Sequence, residues 1–498
     1  VDEDEDEVRM LRSLDDPLDE ARDDPLAELV ARKKTKNHPS EARIAEILVE
    51  RHGGELRYVA QWGTWLRWDG KRWQEEKTLM VIDLIAAICK EISRGGDVNR
   101  NSEIRSLLKH STMSGAEKIA RADRRVVATA EQWDKDPWLL NTPGGVVNLR
   151  TGTMRQHRPD DYMTNITGVS PNTSCLTPTW DAHLVKIFMS DAEMIAFMHR
   201  TWGYCLTGDV SEDALFFCHG DGDNGKTTTI ELLRAIWGDY AKEAPMEMFT
   251  TKAHGHDHPT ELTILHGARL VTASENERGV RFSEARVKKI TGGGRIKARK
   301  MRQDFYEFEP THKLMFDGQH RPRLSSVGQA WKRRVNMIPH KAKILPEEKD
   351  RHIEQELMRE APGILNKIMA GCIEWQRTGL NPPRSVTEAT DEYLSQQDTL
   401  KEWFLEFVEV SPSGQGAFIG HLYSSYRVFM ENRGERPCGQ TTFADDLESK
   451  ASELKIKREA KPFWLGKDDS ATGEKRIQGR GFRGIKSVMM PIKEFKSF

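Results

Sequence analysis

The sequence predicts an α/β protein built around a phosphate-binding core, and three observations predict it. Residues Gly220 to Thr227 read GDGDNGKT, which fits the pattern G-x-x-x-x-G-K-[ST]. The run before it, Ala214 to Cys218, is short and apolar, and the run after it, Thr228 to Trp237, has helical spacing. Further apolar runs of strand length follow at Arg269 to Ser274, Lys313 to Phe316 and Val335 to Pro339, and they read as buried strands of one sheet.

Strand, glycine-rich loop and helix is the context that gives the motif its chemistry. Glycines let backbone N–H groups converge on phosphate oxygens, and the helix N-terminus adds a partial positive charge. The expected ATP-binding residues are Gly220, Asp221, Gly222, Asp223, Asn224, Gly225, Lys226, Thr227 and Thr228. Lys226 is expected to reach the β- and γ-phosphates, and the Thr227 hydroxyl to ligate Mg²⁺.

Such a loop needs a second, acidic element. The run ending at Ser274 continues into Glu275-Asn276-Glu277. A carboxylate at a strand end beside the loop can hold Mg²⁺, here Glu275, and a second can orient and deprotonate the attacking water, here Glu277. Lys313 to Phe316 ends in Asp317-Gly318-Gln319-His320, where the amide of Gln319 is placed to sense the γ-phosphate or the lytic water. Arg333 and Arg334 precede the last apolar run. An arginine so far from the loop suits a finger supplied to a neighbouring subunit's ATP.

Between these lies a basic stretch. Residues 285–302 hold eight Lys or Arg and no acid, interrupted by Gly292, Gly293 and Gly294. A helix carrying Lys288 and Lys289 gives way to a strand-like run with Arg295, Lys297, Arg299 and Lys300. A turn projecting these cations fits a nucleic-acid backbone, whereas a solvated charged face is the bland alternative.

Length and composition bound the rest. A chain of 498 residues predicts two to four domains. No apolar run reaches bilayer length, the N-terminus has no signal-peptide pattern, and the six cysteines are scattered, which fits a reducing, cytoplasmic setting. The net charge of -2 conceals an asymmetry: residues 1–24 carry 12 acidic and 3 basic side chains, leaving 72 basic against 65 acidic in the remainder. The acidic head, residues 1–36, reads as a disordered linker, and a chain opening on Val1 reads as a fragment or processed piece. Trp62, Trp65, Trp68 and Trp73 with Asp69-Gly70 read as a hairpin whose aromatics pack under a small sheet, with stacking on bases as the alternative. His254, His256 and His258 read as a solvated loop rather than a metal site. Helical runs at 399–409, 419–433 and 440–453, followed by basic strands, read as a winged-helix-like unit that contacts duplex DNA or docks a protein.

In order, GDGDNGKT, ASENE, KKITGG, KLMFDGQHRP and WKRRVNMIP resemble the superfamily 3 helicases of phages, plasmids and nucleocytoplasmic viruses, the D5-like or P4-like primase-helicase family. WLLNTPGGVVNLRTG upstream and GYCLTG at Gly203 to Gly208 look like the approach to the loop in that family. The resemblance implies an AAA+-type ring, expected to be hexameric, that hydrolyses ATP between subunits and moves along single-stranded or forked DNA. It implies a mostly helical D5-like domain over residues 37–177, an ATPase domain over 178–345, a helical connector over 346–396 and the winged-helix-like domain over 397–498. It also implies the pore contacts of the basic hairpin, and a primase-polymerase module upstream in a longer parent chain. Three positions depart from the family pattern: Gln319 stands where Asn is usual, Gly294 where Asp commonly follows the Gly pair, and His340 where Phe is usual. The rival readings are another ring ATPase, such as a DNA-packaging motor, and a nucleotide-dependent origin-binding scaffold.

Overall fold

The computed structural model describes residues 40–94, 105–251, 259–275, 279–301, 304–324, 327–413, 416–465 and 477–491. The acidic head and the three histidines of residues 254–258 lie outside them. The chain divides into two compact units: residues up to Asp136 with Pro143–Val146 and Met154–Ile166, and the remainder from Pro137 onward.

In the first unit, helices α1 (Glu41–His52), α2 (Met80–Arg94) and α3 (His110–Ala120) accompany four strands, β1 (Leu56–Val59), β2 (Thr64–Trp68), β3 (Trp73–Glu75) and β4 (Val127–Ala128). Ser40 caps α1 by accepting from the Arg43 amide, and Ile44, Ala45, Leu48 and Val49 form one buried helical face. The strands pair in the order β3-β2-β1-β4. The Asp69-Gly70 turn joins β2 to β3 with Trp68 opposite Trp73, and the Asp69 carboxylate accepts from the amides of Lys71 and Arg72. Trp65 and Trp73 are buried, and Trp65 Nε1 donates to Glu117 at 2.6 Å. The tryptophan run therefore packs under the sheet. Three short strands follow in the chain, β5 (Leu139–Thr142), β6 (Gly145–Asn148) and β7 (Thr153–Arg155).

The second unit is organised by one parallel sheet. Helices α4 (Pro178–Ile187) and α5 (Ala192–Leu206) lead to β8 (Leu215–His219) and α6 (Lys226–Trp237). Then come β9 (Ala241–Glu243), β10 (Leu270–Glu275), α7 (Glu284–Thr291), the hairpin β11 (Ile296–Arg299) and β12 (Phe305–Phe308), β13 (Lys313–Gly318), α8 (Gln329–Arg334) and β14 (Val335–Pro339). The five strands of the sheet run β14-β8-β13-β10-β9, all parallel. Strand residues alternate between two cores, as the two-residue period requires. Phe216, Cys218, Met315 and Ile338 face the core shared with α4, α5, α6 and the long helix α9 (Ile353–Thr378). Leu215, Phe217, Leu314, Phe316 and Met337 face the other core, shared with α7 and α10 (Arg384–Gln397). Helix α9 carries Pro362 in its interior and ends at Gly379, whose φ of 68° leaves the helical region, and Asn381-Pro382-Pro383 then leads into α10 with Pro383 as its N-cap.

The chain closes with α11 (Thr399–Phe407), β15 (Val408–Val410), β16 (Ala417–Phe418), α12 (Ile419–Asn432), α13 (Gln440–Ser449) and five short strands, β17 (Lys457–Arg458), β18 (Phe463–Leu465), β19 (Ile477–Gly479), β20 (Gly481–Arg483) and β21 (Ile485–Val488). Trp403, Phe443, Leu447 and Phe482 centre its separate core. Among the described residues no helix is long and apolar enough to cross a membrane.

Candidate nucleotide site and basic hairpin

Because the sheet is parallel, its strands end on one edge. Register sets Glu275, Gly318, His219 and Pro339 in one row across it. The glycine-rich loop leaves β8 at that edge, and Gln319 leaves β13 beside it. The expected helix begins at Lys226, two residues ahead of the apolar pattern, with Gly225 as its N-cap. Gly225 takes φ 77°, and no side chain caps the amides of the first turn. A Cβ there would meet Ile187 Cγ2 at 2.6 Å, and one on Gly220 would meet the His340 carbonyl oxygen at 2.2 Å. Both glycines are therefore required by space, and at Gly225 by conformation as well.

Lys226 is buried, and its Nζ donates to Gly220 O at 2.7 Å, Asn224 Oδ1 at 2.9 Å and Asp221 O at 3.3 Å. Burial pulls this ammonium below the ordinary lysine range, while the nearby carboxylates of Asp317 and Asp221 act against the shift. Thr227 is exposed and Thr228 half-buried. Thr229 turns inward, bonding to Gly225 O at 2.8 Å and to His183 Nε2 at 2.9 Å. Burial also holds the imidazoles of His183 and His219 down at about 4 and that of His340 at about 3, so all three are neutral around the loop.

Sequence reasoning passed over Asp317 as a site residue. It is buried in the last turn of an apolar strand, accepts from Ser274 Oγ at 2.6 Å and lines the same cleft as Lys226, Thr227 and Gln319. Burial raises its carboxyl above the ordinary range, while the Ser274 bond and the Lys226 ammonium pull it down. The available signal was an acid inside a buried strand beside a phosphate loop. The cleft, about 920 Å³, is within the range of roughly 300–1,000 Å³ usual for ligand sites. Its far wall is the segment after β14. Lys349 pairs with Asp223 at 2.5 Å, Glu348 with Lys186 at 3.3 Å, and the Ile344 amide donates to Asp223 O at 2.7 Å.

Glu275 ends β10 at the loop edge. Its side chain, and all of Glu277, lie outside the described residues.

The basic stretch divides by exposure. Lys297 and Arg299 alternate outward along β11 and flank the half-exposed Phe305 ring of β12, with Lys297 Nζ 5.0 Å and Arg299 Cζ 4.9 Å from its centroid. Lys289, Lys300 and Arg295 are also exposed, and Arg295 lies 3.5 Å from Glu309. Lys288 is paired with Glu284 at 2.5 Å on its own helix, and Arg286 is buried against Glu261 at 3.1 Å. The C-terminal unit shows a comparable division. Helix α13 carries Asp445, Asp446 and Glu448 and no cation, and the first and last of these hold Arg458 at 2.8 and 2.6 Å.

The arginine pair divides in the same way. Arg333 is 63% exposed and Arg334 only 7%, although both reach the same Asp213 oxygen at 3.2 Å. Arg334 Nε also donates to Thr291 Oγ1 at 3.1 Å. Since Val335 pairs with Leu215, both arginines lie at the sheet edge opposite the glycine-rich loop. A five-residue strand spans roughly 17 Å.

The residues present fit a nucleoside triphosphate. They supply a glycine-shaped cradle, uncapped amides at a helix N-terminus, a cation held at the loop's centre and an exposed threonine hydroxyl next to it.

Comparison with known proteins gives three further findings. Residues 45–189 match the family model described as D5 N terminal like. The chain is 23% identical over 327 residues to L207/L206 of Acanthamoeba polyphaga mimivirus, a protein named as a candidate helicase, covering 61% of this chain and 34% of that protein. It is 23% identical over 342 residues to 184R of Invertebrate iridescent virus 6, named likewise, covering 60% of this chain and 35% of that protein. The chain thus spans about a third of the length of these curated relatives. Among solved structures it is similar to the apo C-terminal region of NrS-1, with 11% identity, a TM-score of 0.48, and coverage of 90% of this chain and 99% of that one.

Proposed function

We propose that the chain is a D5-like, superfamily 3 ATP-dependent DNA helicase working as a ring, most simply a hexamer; the match of residues 45–189 to the D5 N terminal like model and the similarity to viral proteins named as candidate helicases support this. The observation that carries this reading is the separation of Lys226 and Arg333 to opposite edges of one parallel sheet. An exposed arginine that cannot reach its own loop is suited to a neighbour's, and the strand order β14-β8-β13-β10-β9 supports the reading of an AAA+-type core. The carboxylate of Asp213 is shared by the two guanidinium groups, and Arg333 is the more exposed of them.

In this reading the loop amides and Lys226 would bind the phosphates, while Thr227 and Glu275 would hold Mg²⁺. When bound, ATP with its Mg²⁺ supplies the cleavable phosphoanhydride bond and its free energy. Glu277 accepts the proton of the attacking water, Gln319 orients that water from the end of β13, and Asp317, bonded to Ser274, fixes the strand end between them. Arg333 of the adjacent subunit stabilises charge developing on the transferred phosphoryl group. Lys297, Arg299 and Lys300 contact the DNA backbone in the channel, with Lys289 and Arg295 at its margin; Lys288 is the weakest of the proposed contacts, because Glu284 already neutralises it. The C-terminal unit is a winged-helix-like domain in which phosphate contact falls to the strands and not to the acidic α13. A primase-polymerase module in a longer parent chain is part of the same proposal.

The test is ATP hydrolysis with Mg²⁺, with and without single-stranded DNA, alongside unwinding of a fork and the assembled mass. Stimulated hydrolysis with unwinding is the expected result. Hydrolysis without unwinding would favour another ring motor, and assembly without hydrolysis a scaffold.

A further inference from the structure

Resting on the reading above, we propose that Arg334 is a positioning residue that couples the neighbour-facing Arg333 to the DNA-facing hairpin through Thr291 and Asp213. Arg334 follows Arg333 directly in the chain, yet its side chain is 7% exposed against 63%. Two of its contacts point in different directions. Its Nη2 reaches Asp213 Oδ2 at 3.2 Å, the same oxygen that Arg333 reaches at 3.2 Å. Its Nε donates to Thr291 Oγ1 at 3.1 Å. Thr291 is the last residue of α7, and only Gly292 to Arg295 separate it from β11, which carries Lys297 and Arg299.

The surroundings fix both ends of the Arg334–Thr291 contact. Thr291 Oγ1 donates in turn to Val287 O at 2.8 Å, which fixes the hydroxyl on its helix. A Cβ on Gly292 would stand 3.8 Å from Arg334 Nη2, and one on Gly293 would stand 3.8 Å from Val210 Cγ2. The turn that carries Val210 and Asp213 is itself held to the sheet, since the buried Lys313 ammonium donates to the carbonyls of Thr207 and, at 3.2 Å, Asp209. One carboxylate, one guanidinium and one hydroxyl thus join three elements: the turn before β8, the start of β14 and the root of the hairpin.

Coupling follows from the shared oxygen. When Arg333 turns to the phosphates of the adjacent subunit, Asp213 gives up one of its two cations and draws more strongly on Arg334. The approach of Arg334 alters its bond to Thr291, and the end of α7 and the hairpin root respond to that bond. The occupancy of one subunit's nucleotide site is thereby felt by the hairpin of the next. Reciprocity requires that DNA on the hairpin bias Arg333 in return.

The experiment uses the full chain with Thr291→Val, which keeps the shape and removes the acceptor, Thr291→Ser, which keeps the hydroxyl, and Asp213→Asn. ATP turnover is measured without DNA and with oligo-dT, and DNA affinity is measured with ADP and with a non-hydrolysable ATP analogue. DNA-free turnover is expected within about twofold of wild type in the two Thr291 variants. Stimulation by DNA should fall by about fivefold in Thr291→Val and Asp213→Asn and return in Thr291→Ser, and the nucleotide dependence of DNA affinity should follow the same order. Wild-type stimulation in either Thr291→Val or Asp213→Asn overturns the coupling and leaves the helicase reading standing. A wild-type chain that hydrolyses ATP with no response to DNA overturns that reading, and the coupling with it.

Discussion

Lys226 Nζ donates to the carbonyl of Gly220 at 2.7 Å, so the lysine closes the loop that it serves. The ammonium sits where incoming phosphates need charge, and binding them exchanges carbonyl acceptors for phosphate oxygens. Little rearrangement is needed at that moment, which is the advantage of a prepared electrostatic site. Replacing Lys226 with Ala should lower ATP turnover by about a hundredfold or more, with nucleotide affinity falling as well. The helices and the parallel sheet should persist, since the lost bonds belong to one surface loop. Far-UV circular dichroism and a turnover assay on the same preparation check both statements.

Gly225→Ala tests the shape of the cradle and not its charge. The position takes φ 77°, and the new Cβ would meet Ile187 Cγ2 at 2.6 Å and His183 Cε1 at 3.0 Å. Strain and overpacking together should cost about 2–4 kcal/mol, much of it at the start of α6. Denaturant unfolding should show the loss, and nucleotide binding should weaken even though Lys226 is intact.

The strands that built the site were legible because parallel strands are buried on both faces and read as continuous apolar runs. Val335 to Pro339 is found as read, and β8 and β10 are each displaced by one residue. Strand β9 went unread: Lys242 and Glu243 make two of its three residues, and it is an edge strand. Pairing across long separations was equally hidden. Glu261 neutralises Arg286 from 25 residues away, and Asp213 holds the arginine pair from about 120. Adjacent arginines look alike in a sequence, and only the packing of α8 against its neighbours tells an exposed one from a buried one.

That difference makes a paired prediction. Arg333→Ala should leave the melting temperature nearly unchanged, because an exposed ion pair contributes about 0–1 kcal/mol. Turnover should fall by about a thousandfold, as loss of a transition-state arginine requires. Arg334→Ala should cost about 3 kcal/mol of stability, since it strips a buried network of its cation. A melt and a rate for each variant separate the two roles.

The basic hairpin predicts a salt signature. Lys297→Ala and Arg299→Ala should each weaken DNA binding at every sequence tested and lower the slope of log affinity against log salt by about 1. Stability should change little, because both side chains are exposed on β11. Lys288→Ala should do less, since Glu284 already holds that ammonium. Fluorescence anisotropy over a salt series measures all three.

Acid should destabilise this protein through its buried histidines. His183 and His219 are held at about 4, and His312 and His340 at about 3, each by burial. These folded values lie below the ordinary value of about 6.5, so between them the unfolded chain binds protons that the folded chain refuses. The stability contributed is therefore complete above about pH 7 and is lost as pH falls through 6.5 toward 4, at up to about 1.4 kcal/mol per pH unit for each histidine. His340 isolates the effect. Neither of its ring nitrogens has a hydrogen-bond partner among the described residues, and the ring packs 5.1 Å from Phe188. His340→Phe removes one titrating group and keeps an aromatic ring beside Phe188. Thermal melts at about pH 7.5 and about pH 5.5 should show a smaller acid loss in this variant than in wild type. An equal loss in both would mean that His340 is already protonated, or already solvated, in the folded chain.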